Sequence, residues 1–180
     1  MYIDIELTPN PNAKKFILDE KFSKYKIYKQ YNSIEETEDN LLAQKLFSIN
    51  GVKSVFFLND VITINKEDNY SWDELENNIK SIILENLENL NSSGLKNNDN
   101  KKIDNEKINK INEILNETIR PGLAMDGGGL EIVELTDDMK LYVKYHGACG
   151  SCPSSTLATL TAITLILKES FDPKIEVIPV

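Results

Sequence analysis

The chain has 180 residues, 27% of them charged, with 29 acidic against 20 basic side chains and a net charge of −9. Such a surface repels a phosphate backbone or an anionic membrane unless one patch is strongly basic. Neither part supplies one: Lys and Arg against Asp and Glu count 13 to 18 over residues 1–105 and 7 to 11 over 106–180. Nucleic acid and membrane are therefore poor partners, and the length allows one ordinary core or two small ones.

The opening MYIDIELTPN has neither a cationic head nor an apolar core. No apolar run reaches the ~18–20 residues of a membrane span, so a soluble, untargeted, cytoplasmic chain is expected. MYIDIEL alternates as a strand does, TPNPNA is rich in turn formers, and KKFIL (14–18) reads as a second strand. DNLLAQKLFSI, residues 39–49, reads as a helix stopped by Gly51. VKSVFFL and VITIN then flank Asn59-Asp60, the pattern of a tight hairpin. Ser71 with Glu74 forms a capping box, and Trp72, Leu75, Ile79, Ile82 and Ile83 follow at helical spacing.

Residues 91–102, NSSGLKNNDNKK, hold almost no apolar side chain and mark a boundary. The expected layout is one small α+β domain over 1–88, a polar linker over 89–105 and a second over 106–180, ordered helix-strand-strand-helix-strand. In that second domain Ile108, Ile111, Leu115 and Ile119 line one face of a helix ending near Pro121. GLEIVEL and MKLYVKY form a hairpin over Thr136-Asp137-Asp138. The segment from Ser154 to Ser170 reads as a helix buried on more than one side, and KIEVIPV as a closing strand.

Cys149 and Cys152 are the only cysteines, placed where the second of these strands hands over to the last helix. Pro153 and Ser154 suit a helix start, so both sulfurs lie near unpaired amides and the positive end of the helix dipole, which favours thiolate. Gly147, Ala148, Gly150 and Ser151 leave room around them for backbone amides and for an inorganic group. The loop is expected to lie outside the core. Thiolates are the ligands soft metals and iron–sulfur clusters select, but two donors fall short of the four that a tetrahedral zinc or a cubane needs. The only histidine, His146, is a weak third candidate with no evident acid partner. Two copies meeting at this loop would supply four thiolates. A thioredoxin-like dithiol, using a Cys149–Cys152 disulfide, is the main rival, but only 28 residues follow Cys152, too few for that fold. A zinc-bridged dimer is the third reading. In MDGGGLEI, residues 125–132, three glycines signal positive φ or close approach, or simply a tight turn. The order helix, loop, strand argues against a phosphate loop there.

IRPGLAMDGGGLEIVEL followed by LYVKYHGACGSCPSSTLATL resembles the C-terminal domain of NifU and the Nfu-type iron–sulfur scaffold and carrier proteins. Upstream, TPNPNAKKFIL, LLAQKLFSINGVKSVFFLNDVITI and the Trp72 helix look like the N-terminal domain that accompanies it. The resemblance implies that Cys149 and Cys152 bind a cluster, usually 4Fe-4S with 2Fe-2S as the alternative, shared across a homodimer. It implies a carrier and not an enzyme, taking its cluster from an upstream scaffold and delivering it to apo iron–sulfur client proteins. Gly147, Gly150, Pro153 and Ser154 match the surrounding motif, and Asp126, Gly127 and Gly128 match the family's Asp-Gly-Gly turn. Gly129 stands where an acidic residue is common, and Thr161 and Thr164 stand where the family often has Lys, Gly or Glu.

Overall fold

The computed structural model describes residues 2–19, 27–90, 106–151 and 153–180, without the side chains of 88–90, 151 and 153–156. The chain divides into two compact units, Met1–Asp99 and Asn100–Val180, each of mixed α+β structure. Of the expected linker, residues 91–105 lie outside the described residues.

In the first unit the strands are β1 (Asp4–Leu7), β2 (Ala13–Ile17), β3 (Tyr28–Tyr31), β4 (Val52–Leu58) and β5 (Val61–Lys66). They form one antiparallel sheet in the order β1-β2-β5-β4-β3. The α-helices among its described residues are α1 (Leu41–Phe47) and α2 (Trp72–Leu90), so α2 runs two residues into the stretch assigned to the linker. Leu75, Ile79, Ile83 and Leu87 recur every fourth residue on α2 and are all buried in the core with Phe16, Ile62, Ile64 and Phe57 of the sheet. Each such side chain contributes about 1.5–3 kcal/mol through burial, which is what holds a helix of modest propensity in place. Glu74 reaches back to accept from the Ser71 amide at 3.2 Å, as the capping box requires.

The TPNPNA turn is tied internally: Thr8 Oγ1 donates to the carbonyls of Asn10 at 2.8 Å and Ala13 at 3.1 Å, and the Trp72 indole donates to the Pro11 carbonyl at 2.9 Å. Asn59 adopts φ 54 in the two-residue link between β4 and β5, where Leu58 pairs with Val61. Strand β3 has no counterpart in the sequence reading. It adds Tyr31, fully buried and edge-on to Phe57 with ring centroids 6.0 Å apart.

Gly51 does not cap α1 directly. The helix ends at Phe47, and Gly51 makes the turn into β4 with φ +99, while a Cβ there would stand 2.5 Å from the Tyr70 ring. Both backbone strain and overpacking oppose a side chain, so Gly51→Ala should cost the first unit about 2–3 kcal/mol, read as a lower urea midpoint.

The second unit contains α3 (Glu106–Thr118), α4 (Arg120–Met125), β6 (Gly128–Leu135), β7 (Lys140–Gly147), α5 (Pro153–Ser170) and β8 (Glu176–Pro179). All four predicted core positions of α3 and its exit, Ile108, Ile111, Leu115 and Ile119, are buried. The chain does not leave helix near Pro121: α3 stops at Thr118, and a new short helix carries Pro121 in its first turn, where no amide is needed. Arg120 fastens this corner, with its two terminal nitrogens on the Asn116 and Asn112 side chains at 2.6 and 2.8 Å and Nε on the Leu130 carbonyl at 3.3 Å.

Strand β7 is central, antiparallel to β6 and parallel to β8, so α5 is the crossover between two parallel neighbours. Among its described side chains that helix is buried along one line, at Ile163 and Leu167 with Leu160 and Ile166 beside them. The expectation of burial on several sides fails, because one layer of sheet can cover one stripe of a helix. Leu157 and Leu165 stand 68% and 63% exposed.

Candidate functional site

The cysteine loop is built from the end of β7 inward. Gly147 takes φ 62 and turns the chain out of the strand into a 3-10 turn, Ala148–Ser151, after which α5 begins at Pro153 as expected. On the neighbouring strand, β6 opens with the glycine run, and the register pairs Gly128 with Gly147 and Gly129 with His146. Gly127 has φ 75 and its carbonyl accepts from the Ala148 amide at 3.0 Å. The glycine turn and the cysteine loop are thus one hydrogen-bonded structure.

The two readings of the triple glycine, positive φ and close approach, hold at different residues. Gly127 supplies the first. Gly128 supplies the second, because a Cβ there would lie 2.4 Å from Cys149 Sγ, 2.8 Å from its Cβ and 3.0 Å from the His146 carbonyl oxygen. Gly150 does the same on the other side, where a Cβ would meet the Tyr145 carbonyl oxygen at 3.0 Å. Bare backbone around a sulfur is the cradle an inorganic group requires.

Cys149 is 4% exposed and belongs to the core cluster of this unit, with Leu130, Leu141, Val143 and Ile163. The expectation that the loop lies outside the core is corrected for this residue: removing the side chain at 128 lets Cys149 turn inward. Cys152, the second candidate ligand, lies outside the described residues, as do the side chains of Pro153 and Ser154.

Tyr145, one turn of chain before Cys149, packs against the same cluster, and its hydroxyl is buried with no hydrogen-bond partner among the described residues. Burial and then the charge of Cys149 push its pKa up to about 12, so it stays a donor at neutral pH. The sequence reading missed Tyr145, and the alternation of β7, which turns residues 141, 143 and 145 inward, was the available signal.

His146 is 6% exposed and has an acid partner after all, its Nε2 lying 3.0 Å from Glu131 Oε2. The hairpin register carries Glu131 to Lys144 and Gly129 to His146, which makes Glu131 a diagonal neighbour of the ring. A β-bulge between Ile132 and Glu134 shifts the pairing by one residue, so counting outward from the Thr136–Asp138 turn sets Glu131 opposite Tyr145 and hides the contact. Among the described residues no three His, Cys, Asp or Glu side chains converge to hold a metal ion, so His146 and Glu131 do not complete a site around Cys149. No described helix is long and apolar enough to cross a membrane.

Two family models match the chain, "Scaffold protein Nfu/NifU N terminal" over residues 3–90 and "NifU-like domain" over residues 111–178. A NifU-like protein of Schizosaccharomyces pombe is 33% identical over 98% of this chain and 71% of its own length. A human protein named NFU1 iron-sulfur cluster scaffold homolog, mitochondrial, is 32% identical over 98% of this chain and 70% of its own length. One of the same name from Drosophila willistoni is also 32% identical over 98% of this chain, which spans only 62% of that relative. The expectation of a cytoplasmic location is overturned by these relatives, two of which are named mitochondrial. It rests on the first residues of the chain, and relatives longer than the chain deprive those residues of that meaning.

Gly128→Ala should lower the stability of the second unit by about 1–3 kcal/mol through the clash with Cys149, seen as a lower denaturation midpoint. Burial lowers the pKa of His146, the Glu131 carboxylate offsetting this only in part. A depressed folded value means the unfolded chain binds the proton first, so this contribution is complete above pH about 6.5 and is lost as pH falls through the folded value. Because the chain has one histidine, denaturation midpoints between pH 5.5 and 7 should fall with acidity, and His146→Gln should flatten that slope.

Proposed function

This chain belongs to the Nfu-type family of iron–sulfur cluster scaffold proteins, and on that premise we propose that it binds a cluster as cargo through Cys149 and Cys152, shares it between two copies and passes it to apo-proteins. The observation that carries this reading is the wall of bare glycine backbone against the Cys149 sulfur, at the hand-over from a central strand to a helix start. The chain has two cysteines, so four thiolates require two copies. Four thiolates suit a 4Fe-4S or a 2Fe-2S core alike, and the family resemblance, not the ligand count, favours 4Fe-4S as the cargo. Loop amides and the start of α5 offset part of its negative charge.

Transfer proceeds by ligand exchange. Each iron–sulfur bond to Cys149 or Cys152 is replaced by one to a client thiol, whose proton ends on the released cysteine. Iron and sulfide keep their oxidation states. The protein carries and does not turn over a substrate, and the names of its relatives favour a mitochondrial setting. The first domain, residues 1–88 joined through 89–105 to the cluster-binding domain 106–180, is assigned to recognising the upstream scaffold and the apo clients.

Anaerobic reconstitution with ferrous iron and sulfide tests this. The chain should turn brown, reach about four irons per dimer and dimerise as it loads. Cys149→Ser and Cys152→Ser should each abolish stable iron binding while circular dichroism stays native, with Cys149→Ser costing about 1–3 kcal/mol because a hydroxyl replaces a buried sulfur. A colourless zinc dimer, or a monomer with a reversible disulfide couple, would sink the proposal.

A further inference from the structure

Residues 147–167 contain no Asp, Glu, Lys or Arg, in a chain of which 27% is charged. The run covers the cysteine loop and the first fifteen residues of α5, Pro153 to Leu167. Helices elsewhere in the chain present charge to solvent: on α3 the exposed residues include Lys107, Lys110, Glu113 and Glu117. On α5 the exposed line is Leu157, Ala158, Thr161 and Leu165, at i, i+1, i+4 and i+8. This uncovered apolar line is what a helix patterned for burial on a second side leaves when only one side is covered.

We propose that the exposed line Leu157, Thr161 and Leu165 of α5 is the surface through which a second copy of this chain docks, next to the shared cluster site. The inference rests on the scaffold reading, which brings two cysteine loops to one cargo. Since α5 starts at Pro153, Leu157 stands about 6 Å along the helix from that start. Two loops within bonding reach of one metal–sulfur core therefore bring the first turns of their α5 helices together. Charge selects the same face. Copies of net charge −9 repel each other, and a surface free of charge around the loop is where close approach costs least. In a two-fold contact a residue near the axis faces its own counterpart, so Leu157 meets the partner's Leu157.

The test uses that self-contact. Full-length Leu157→Lys and Leu157→Glu are loaded anaerobically with ferrous iron and sulfide and compared with the wild type by sedimentation and iron retention. Each variant alone should dimerise at least about ten-fold more weakly and shed its iron faster, because like charges meet across the axis. An equimolar mixture of the two should recover dimer and colour. Variants that dimerise and load as the wild type does, or a mixture that recovers nothing, overturn the surface while leaving the scaffold reading standing. A wild type that stays colourless and monomeric overturns both. Should the residue 157 variants fail to fold by circular dichroism, Thr161→Lys and Thr161→Glu on the same exposed line carry the same comparison.

Discussion

A methyl group on residue 128 would stand 2.4 Å from the sulfur of Cys149, so the cysteine loop can hold its present shape only while that position is glycine. The rest of the second unit follows from this contact. With no side chain at 128, β6 can lie against the outgoing end of β7, Gly128 opposite Gly147, and the Ala148 amide reaches the Gly127 carbonyl. The turn that carries Gly127 is delivered by α4, and α4 is fixed against β6 by the Arg120 side chain. Backbone hydrogen bonding thus ties the Gly127 turn to the loop that holds the sulfur, with the Arg120 side chain anchoring the α3–α4 corner behind it. The backbone tie transmits small shifts, because a hydrogen-bonded backbone has no rotamer to absorb them.

The second unit is also small, and its core is one layer of helix against three strands. Domains of this size bury a limited share of their surface and are only marginally stable alone. Cys149 is one of the side chains filling that core, so the residue proposed to receive the cargo also contributes to folding. The uncharged side of α5 fits the same limitation. A unit with little core gains more from covering two exposed leucines with a copy of itself than a large domain would, and in the proposed dimer the cluster and the contact would reinforce each other.

Much of the molecule was legible because burial writes a period into the sequence. The four-residue spacing on α2 and the spacing of Ile108, Ile111 and Leu115 on α3 identified the buried faces correctly, since an amphipathic helix against a sheet leaves little choice. Strand β3, YKQY, escaped because four residues with two polar centres carry no more strand signal than a loop; it is the sheet edge and the burial of Tyr31 that define it. The short α4 was hidden by Pro121, which marks a helix start as readily as a helix end. In α5 the apolar residues were so evenly spread that they could not say which side is covered within one chain. The glycines at 127 and 128 were flagged for the right physical reasons, but which one needed positive φ and which needed clearance depends on a cross-strand neighbour that composition cannot supply.

A nearly buried sulfur has a consequence for a carrier. Under the proposed function, cargo at Cys149 would displace packing that the empty chain keeps, and that lost contact would be subtracted from the binding free energy of the cluster. A holder that is to give its cargo away gains from such a subtraction, because the receiving protein then needs only ordinary thiolate affinity to pull the cluster across. The same burial shields the thiol from oxidants and stray metal ions while the carrier is empty. The Gly128 contact sits at the balance point. A larger residue there would push the sulfur outward, and under the proposed function that would ease access while weakening both the shield and the drive to release.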